Sequence, residues 1–389
     1  MRRKTILFSA KYAENNLYIY RKLFKMMRYI HQLQDWTHFQ WEQNELFNLL
    51  AEVKQLQGKL LGKVELLGFD LKDEANLETL IQDVVKTSEI EGEVLNPDLV
   101  RSSIAIRLGL DNLGVEHSNR HIDGIVDMML DATQNSDKSL SNERLFGWHG
   151  ALFPTGRSGL YKIEVAQWRS GDMQVISGAM GRENIHFEAP KPDRLEKEMQ
   201  KFLDWFNQEN SLDSILKAAV AHLWFITIHP FDDGNGRIAR AITDMQLSKS
   251  DGVNQRFYSM SSQINAEKKS YYTILERTQK GDLNITEWIK WFLACLKGAI
   301  IASNSIIDKV VRKHQFFVNN ASKVANDRQR LILTKLLEGF EGNLTSSKYA
   351  KIAKTSTDTA LRDINDLVEK GILIKSDSGG RSTNYLLNF

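Results

Sequence analysis

One stretch constrains this chain more than any other: His229-Pro230-Phe231-Asp232-Asp233-Gly234-Asn235-Gly236-Arg237-Ile238-Ala239-Arg240. The Gly234-Asn235-Gly236 run permits the positive φ values and close backbone approach that a phosphate nest requires. Directly after it the pattern turns helical, with apolar Ile238, Ala239, Ala241, Ile242 and Met245. The nest therefore opens a helix, whose free N–H groups and positive dipole end attract an anion. Arg237 and Arg240 are three apart, so both guanidiniums leave the same side of the first turn. Asp233, just before the nest, is placed to hold Mg²⁺ against the same phosphates. His229 sits one short loop upstream, with Pro230 stiffening the exit from the preceding apolar segment.

Taken singly, each residue has a plain reading: a structural histidine, a tight turn, a solvated arginine pair. Together they resemble the signature of the Fic family, His-Pro-Phe-x-Asp/Glu-Gly-Asn-Gly-Arg-x-x-Arg, at every specified position. The resemblance implies a protein adenylyltransferase, which moves AMP from ATP onto a Ser, Thr or Tyr hydroxyl of a target protein or of itself. It implies that His229 is the general base and that Asp233 holds Mg²⁺ on the α- and β-phosphates. Gly234, Asn235 and Gly236 would cradle those phosphates, Arg237 and Arg240 would bind the outer ones, and Phe231 would anchor the loop in the core. The chemistry agrees, because in-line phosphoryl transfer asks for positioning, charge neutralisation and a base within reach. A histidine with a pKa near 6.5 suits that base role at cytoplasmic pH. Other Fic relatives transfer phosphate, UMP or phosphocholine, but the intact Gly-Asn-Gly-Arg run favours AMP.

At 389 residues the chain is long enough for two or three domains with real cores. Its 42% hydrophobic and 26% charged residues are ordinary for a globular protein, and a net charge of +2 makes no global case for nucleic acid or membrane. The single Cys295, in the apolar run Trp291-Phe292-Leu293-Ala294-Cys295-Leu296, rules out a disulfide within the chain, which fits a reducing, cytoplasmic compartment. Five prolines and many Leu, Glu, Gln and Lys residues favour a mostly helical fold. The start, Met1-Arg2-Arg3-Lys4 with Ile6-Leu7-Phe8, lacks an adequate apolar region for a signal peptide. Residues 1–26 are expected to be an extension without order of its own, and no stretch is expected to reach transmembrane length.

An N-terminal helical domain is expected over 27–110. Trp36, Phe39 and Trp41 read as its aromatic core, in preference to a base-stacking surface. Leu46 to Leu56 predict one long amphipathic helix, and residues 76–92 a second, ending at Thr87-Ser88-Glu89-Ile90-Glu91-Gly92. Alone this is an ordinary helix end. Beside a Fic signature, Thr87, Glu91 and Gly92 also resemble the family's inhibitory pattern, Ser/Thr-x-x-x-Glu-Gly/Asn. That resemblance implies a carboxylate, Glu91, competing with ATP for Arg240.

The catalytic domain is expected over 111–310. Helices are read at 122–133, 142–153, 192–206 and 211–228, the last delivering His229 and carrying a core histidine, His222. Gln174-Val175-Ile176-Ser177 and Ile185-His186-Phe187 predict a hairpin, the flap that would align an extended target segment by main-chain hydrogen bonds. Tyr271 and Tyr272 either line an adenine pocket by stacking or pack in the core.

Residues 315–389 follow a winged helix-turn-helix pattern: three helices, then two strands around the turn Ser376–Gly380. Lys354, Arg362, Lys375 and Arg381 could contact phosphates of DNA, while protein docking or homodimer formation is the alternative use. The fold class is thus mainly α: a Fic-type helical core with a β-hairpin flap, an N-terminal helical domain and a C-terminal winged helix. Two other functions stay open at this point. One is a hydrolase removing AMP from proteins at the same site. The other is a DNA-binding regulator that uses the site as a nucleotide sensor.

Overall fold

A single helix that is apolar on every side sets the architecture. From Ile215 to Ile228 all residues are buried, so no face is left for solvent and other elements must enclose it. The computed structural model describes residues 29–110, 119–178, 184–208, 211–339, 342–376 and 383–388. The expected extension over 1–26, the tip of the flap hairpin, the turn at 377–380 and Arg381 lie outside the described residues.

In chain order the helices are α1 (Gln43–Glu65), α2 (Phe69–Ile90), α3 (Pro97–Arg107), α4 (Arg120–Gln134) and α5 (Asn142–Leu152). A short hairpin, β1 (Arg157–Ser158) with β2 (Tyr161–Lys162), precedes a longer one, β3 (Gln174–Ser177) with β4 (Asn184–Glu188). Then come α6 (Leu195–Asn207), the central α7 (Ser214–Ile228), α8 (Asn235–Asp251), α9 (Met260–Ala266), α10 (Lys268–Gln279) and α11 (Thr286–Asn319). The predicted flap hairpin is present, with Val175 opposite Phe187 and a bulge between Val175 and Ile176. The β1–β2 hairpin had no signal in the sequence, being two residues per strand. The second N-terminal helix begins at Phe69, seven residues earlier than expected at 76, because polar Asp70 to Glu74 masked its first turns.

Asp213 caps α7 by accepting from the N–H groups of Ile215 and Leu216. Trp36, Phe39 and Trp224 meet edge to face, and the Trp36 indole donates to Glu198 at 2.9 Å. Of the three aromatics expected in this core, Trp36 is buried, while Phe39 and Trp41 are half-buried. Cys295 is buried as well, and burial pushes its thiol up.

Contacts divide the chain into two units. One comprises the described residues up to Leu66 together with Asn76–Ser303; the other comprises Leu67–Ala75 and residues from Asn304 onward. The N-terminal helices and the signature helix therefore share one unit. The second unit contains α12 (Asp327–Gly339), α13 (Ser346–Ile352), α14 (Thr357–Glu369) and the hairpin β5 (Leu373–Lys375) with β6 (Tyr385–Leu387). Its core is built from Ile332, Leu333, Tyr349, Ile364, Leu367 and Leu373, and Asp363 gathers donors from Arg328, Asn326 and Tyr349. Reading it as a winged helix rests on the sequence pattern.

The expectation that no stretch reaches transmembrane length needs correction. Helix α11 continues well past the apolar run that ends at Leu296, and its best window has a mean hydropathy of 1.2. Half of that window is buried inside the protein, and core helices pass the same test of length and composition.

A buried polar network ties α2 to α8. Arg256 is fully buried and pairs with Asp244 at 2.9 Å and Asp251 at 3.4 Å, while Asp83 of α2 accepts from Ser259. Burial raises the pKa of Asp83, and the neighbouring Asp244 raises it further. Burial raises Asp244 too. The folded protein thus keeps a proton that the unfolded chain releases near the ordinary carboxylate range. This contribution to stability is complete at low pH and is lost as pH rises through the folded-state values. Asp83→Asn, an uncharged mimic of the protonated side chain, should gain thermal stability relative to the parent between pH 5 and pH 8, followed by circular dichroism. Parallel melting curves across that range would mean that Asp83 is ionised in the fold.

Candidate active site

The chain reverses between α7 and α8 by way of two left-handed residues. His229 closes α7 at φ 51°, its N–H still bonded to Phe225, and Gly234 opens α8 at φ 80°. Between them Phe231 is buried, its ring stacked on His149 at 4.2 Å and packed against Trp168 at 5.0 Å. The Asn235 amide accepts from Phe231 N at 2.9 Å and donates to Phe231 O at 2.7 Å, closing the loop. This adjusts the expectation for Asn235. Its side chain is committed to Phe231, and what it offers a phosphate is its backbone N–H.

His229 Nδ1 lies 3.2 Å from the Ile226 carbonyl. A carbonyl only accepts, so Nδ1 carries the proton and Nε2 keeps its lone pair. Burial pushes the imidazole pKa down to about 4, helped by the Arg169 cation and opposed by the Ile226 carbonyl, Glu91 and Asp233. The ring is therefore neutral near pH 7, the form a general base needs. His222 is structural, as expected: it bonds Thr243 and the Tyr271 hydroxyl, both at 2.9 Å, and burial lowers its pKa to about 3.

Asp233 Oδ1 accepts from Gly234 N at 2.6 Å, and Oδ2 accepts from the Ser158 hydroxyl. His149 donates from Nε2 to the Asp233 carbonyl at 3.1 Å and accepts the Ala166 N–H on Nδ1. No group of three or more His, Cys, Asp or Glu side chains suited to a metal occurs among the described residues. Mg²⁺ bound with a nucleotide takes one or two carboxylates, with phosphates and water completing its shell, so Asp233 alone is compatible with it.

The arginines of the first turn of α8 are held by the end of α2. Arg240 is buried; its Nε donates to Thr87 Oγ1 at 2.7 Å, and its Nη2 to the Thr87 carbonyl at 3.0 Å and to Glu91 Oε1 at 2.6 Å. Gly92, at φ 86°, ends the helix: its N–H bonds Glu89 O, and Glu93 N–H bonds Ser88 O, the paired closure of a Schellman motif. Glu91 Oε1 lies so close over Gly236 that a Cβ there would collide with it. A carboxylate thus occupies the mouth of the nest. Arg237 lies over the Phe153 ring at 5.0 Å and reaches Glu93 at 3.4 Å, while its buried Nε has no partner in the structure. His121 bonds the other oxygen of Glu93, and that bond holds the Glu93 pKa below its usual range.

The sequence-predicted residues His229, Asp233, Gly234 to Arg237, Arg240, Thr87, Glu91 and Gly92 come together. Tyr271 is buried and bonded to His222, whereas its neighbour Tyr272, ring to ring at 5.1 Å, is exposed, and both feel the charges of Arg240 and Glu91. Glu93, His121, His149, Ser158 and Arg169 were missed. Each acts across a long loop, and only the Glu93 position, two past Glu91 on the same helix end, carried any local signal.

Residues 139–247 match the Fic/DOC family. The chain carries a Fic domain. Residues 29–110 match a family described only as a domain of unknown function, DUF4172. A protein adenylyltransferase Fic from Nematostella vectensis is 23% identical over 272 residues, covering 65% of this chain and 57% of that relative. A probable protein adenylyltransferase from Aquifex aeolicus is 24% identical over 194 residues, 48% of this chain and 51% of that protein. The chain therefore spans about half the length of these curated relatives. A Fic family protein from Desulfovibrio desulfuricans shares the fold at a TM-score of 0.50 and 20% identity, covering 88% of this chain and 95% of the other.

The histidine protonation states are open to direct measurement. Ring-proton NMR titration should give midpoints near 4 for His229 and His149 and near 3 for His222. An ordinary midpoint near 6.5 for His229 would mean a solvated ring, about a quarter of it protonated at pH 7.

Proposed function

We propose that this chain transfers AMP from ATP to a hydroxyl side chain of a protein, and that Glu91 holds the activity down. The observation that carries the reading is a carboxylate seated over Gly236 and bonded to Arg240, at the mouth of a helix-terminal anion cradle. An anion already fills the place where a phosphate would bind.

The acceptor oxygen attacks the α-phosphorus, His229 Nε2 takes its proton, and the bond to the bridging oxygen breaks to release pyrophosphate. The N–H groups at the start of α8 stabilise charge on the α- and β-phosphates, and Arg237 and Arg240 hold the outer ones. Asp233 is the residue that would hold Mg²⁺, which when bound supplies charge neutralisation on the phosphates. An extended target segment would pair with the β3–β4 hairpin, where main-chain bonds give register with little demand on sequence. Glu91 allows nucleotide entry but displaces the outer phosphate from Arg240, so the α-phosphorus is out of line for attack.

Intact-protein mass spectrometry with ATP and candidate proteins tests this reading. Glu91→Gly should raise incorporation of AMP on the order of 10²-fold. Adding His229→Ala should abolish the gain while leaving ATP binding in place, and EDTA should suppress it. A folded, ATP-binding Glu91→Gly protein that is no more active than the parent removes Glu91 from control. Equal transfer with and without His229 removes the base.

A further inference from the structure

Arg169 lies in the chain between the two hairpins, and among the described residues no carboxylate is bonded to its guanidinium. The side chain is 2% exposed. Its donors go to three backbone carbonyls: Nε to His229 at 2.8 Å, Nη1 to Gly171 at 2.7 Å and Nη2 to Pro190 at 2.6 Å. Its own N–H donates to the Pro230 carbonyl at 2.9 Å. Gly171 stands just before β3 and Pro190 just after β4, so these are the two feet of the flap hairpin. Burial disfavours this cation and lowers its pKa, and Asp172 and Asp232, which lie near it without bonding it, offset that only in part. Among the described residues His229 is one of four non-glycine residues with positive φ, a conformation that needs outside support.

We propose that Arg169 is a positioning residue that holds His229 in its left-handed conformation and ties the flap hairpin to it, setting the distance from acceptor hydroxyl to base. This rests on the adenylyl-transfer reading. A planar fork with donors in three directions suits the task, because one rigid group contacts the base residue and both hairpin feet at once. Lysine has the charge but no such fork. The guanidinium also lies close enough to His229 to disfavour its imidazolium, which gives a signature separate from turnover.

The test uses the full chain carrying Glu91→Gly, with Arg169→Met and Arg169→Lys added singly. Both should keep ATP affinity within about twofold, since nest and arginines are intact, and lose kcat on the order of 10²-fold. Arg169→Met should raise the His229 titration midpoint and leave those of His149 and His222 in place. Arg169→Lys keeps a cation, so its His229 midpoint should stay low while kcat still falls. Both should speed amide exchange in β3 and β4. Unchanged kcat overturns the proposal, as does a kcat loss with an unmoved His229 midpoint in Arg169→Met. If Arg169→Met fails to fold, Arg169→Lys decides: full kcat in that variant overturns the proposal. If Glu91→Gly alone transfers no AMP, the functional reading falls, and the His229 midpoint and hairpin exchange then decide the role of Arg169 by themselves.

Discussion

The reversal between α7 and α8 is the constraint on which the rest of the site depends. A buried apolar helix must end, turn and begin again within a few residues, and it does so with a histidine and a glycine in left-handed geometry. For the histidine such a conformation costs on the order of 1–3 kcal/mol. Three features offset that cost: the reciprocal Asn235–Phe231 bonds, the stacking of Phe231 on His149, and the Arg169 contact to the His229 carbonyl. The turn that strains the backbone is also what brings an imidazole beside a helix N-terminus. Base and anion cradle are thus placed by one local event.

That local event was legible because its demands are local. Gly234 must accept positive φ, Asn235 must reach back four residues, and the arginines must be three apart; each leaves a fixed spacing in the sequence. The central helix was legible from its unbroken apolar run. The end of α2 at Gly92 could be read because a helix stop is also a short-range feature, while the role given to Glu91 came from the resemblance to the family's inhibitory pattern. Arg169, His149 and Ser158 were not legible, since each meets the signature loop from a segment about 60 to 84 positions away, and no spacing rule covers such meetings. Nor was the assignment of Leu67–Ala75 to the second unit, although α2 runs unbroken through Ala75. Helical periodicity continues through a boundary of that kind without a mark.

Electrostatics explains why the end of α2 sits where it does. The first turn of α8 presents free N–H groups, a dipole end and two buried guanidiniums, a concentration of positive charge that is unfavourable away from water unless an anion answers it. Thr87 supplies two oxygens to Arg240, Glu91 a carboxylate, and Glu93 a weaker contact to Arg237. The pairing is uneven. Arg240 makes three bonds at 2.6 to 3.0 Å through Nε and Nη2, whereas Arg237 has one long contact and an orphaned Nε.

This unevenness suggests an order in which an entering triphosphate would engage the site on the proposed function. The free backbone N–H groups of the nest and the under-used Arg237 can accept phosphate oxygens with little displacement. Arg240 is less available, because its Nε and Nη2 donors already have partners at 2.6 to 3.0 Å, and a phosphate seated at Nη2 must replace Glu91. Binding and alignment therefore separate. The inner phosphates gain their partners at small cost, and only the outermost must compete with Glu91. Because the Glu91 side chain remains 32% exposed, water can take over its carboxylate when it leaves, so the barrier to release is one of lost pairing more than of burial. Thr87 has no such exit, being buried in the helix, and keeps two oxygens on Arg240 when Glu91 is gone. The guanidinium then stays aimed at the nest with one coordination direction vacated, which is the direction a phosphate needs.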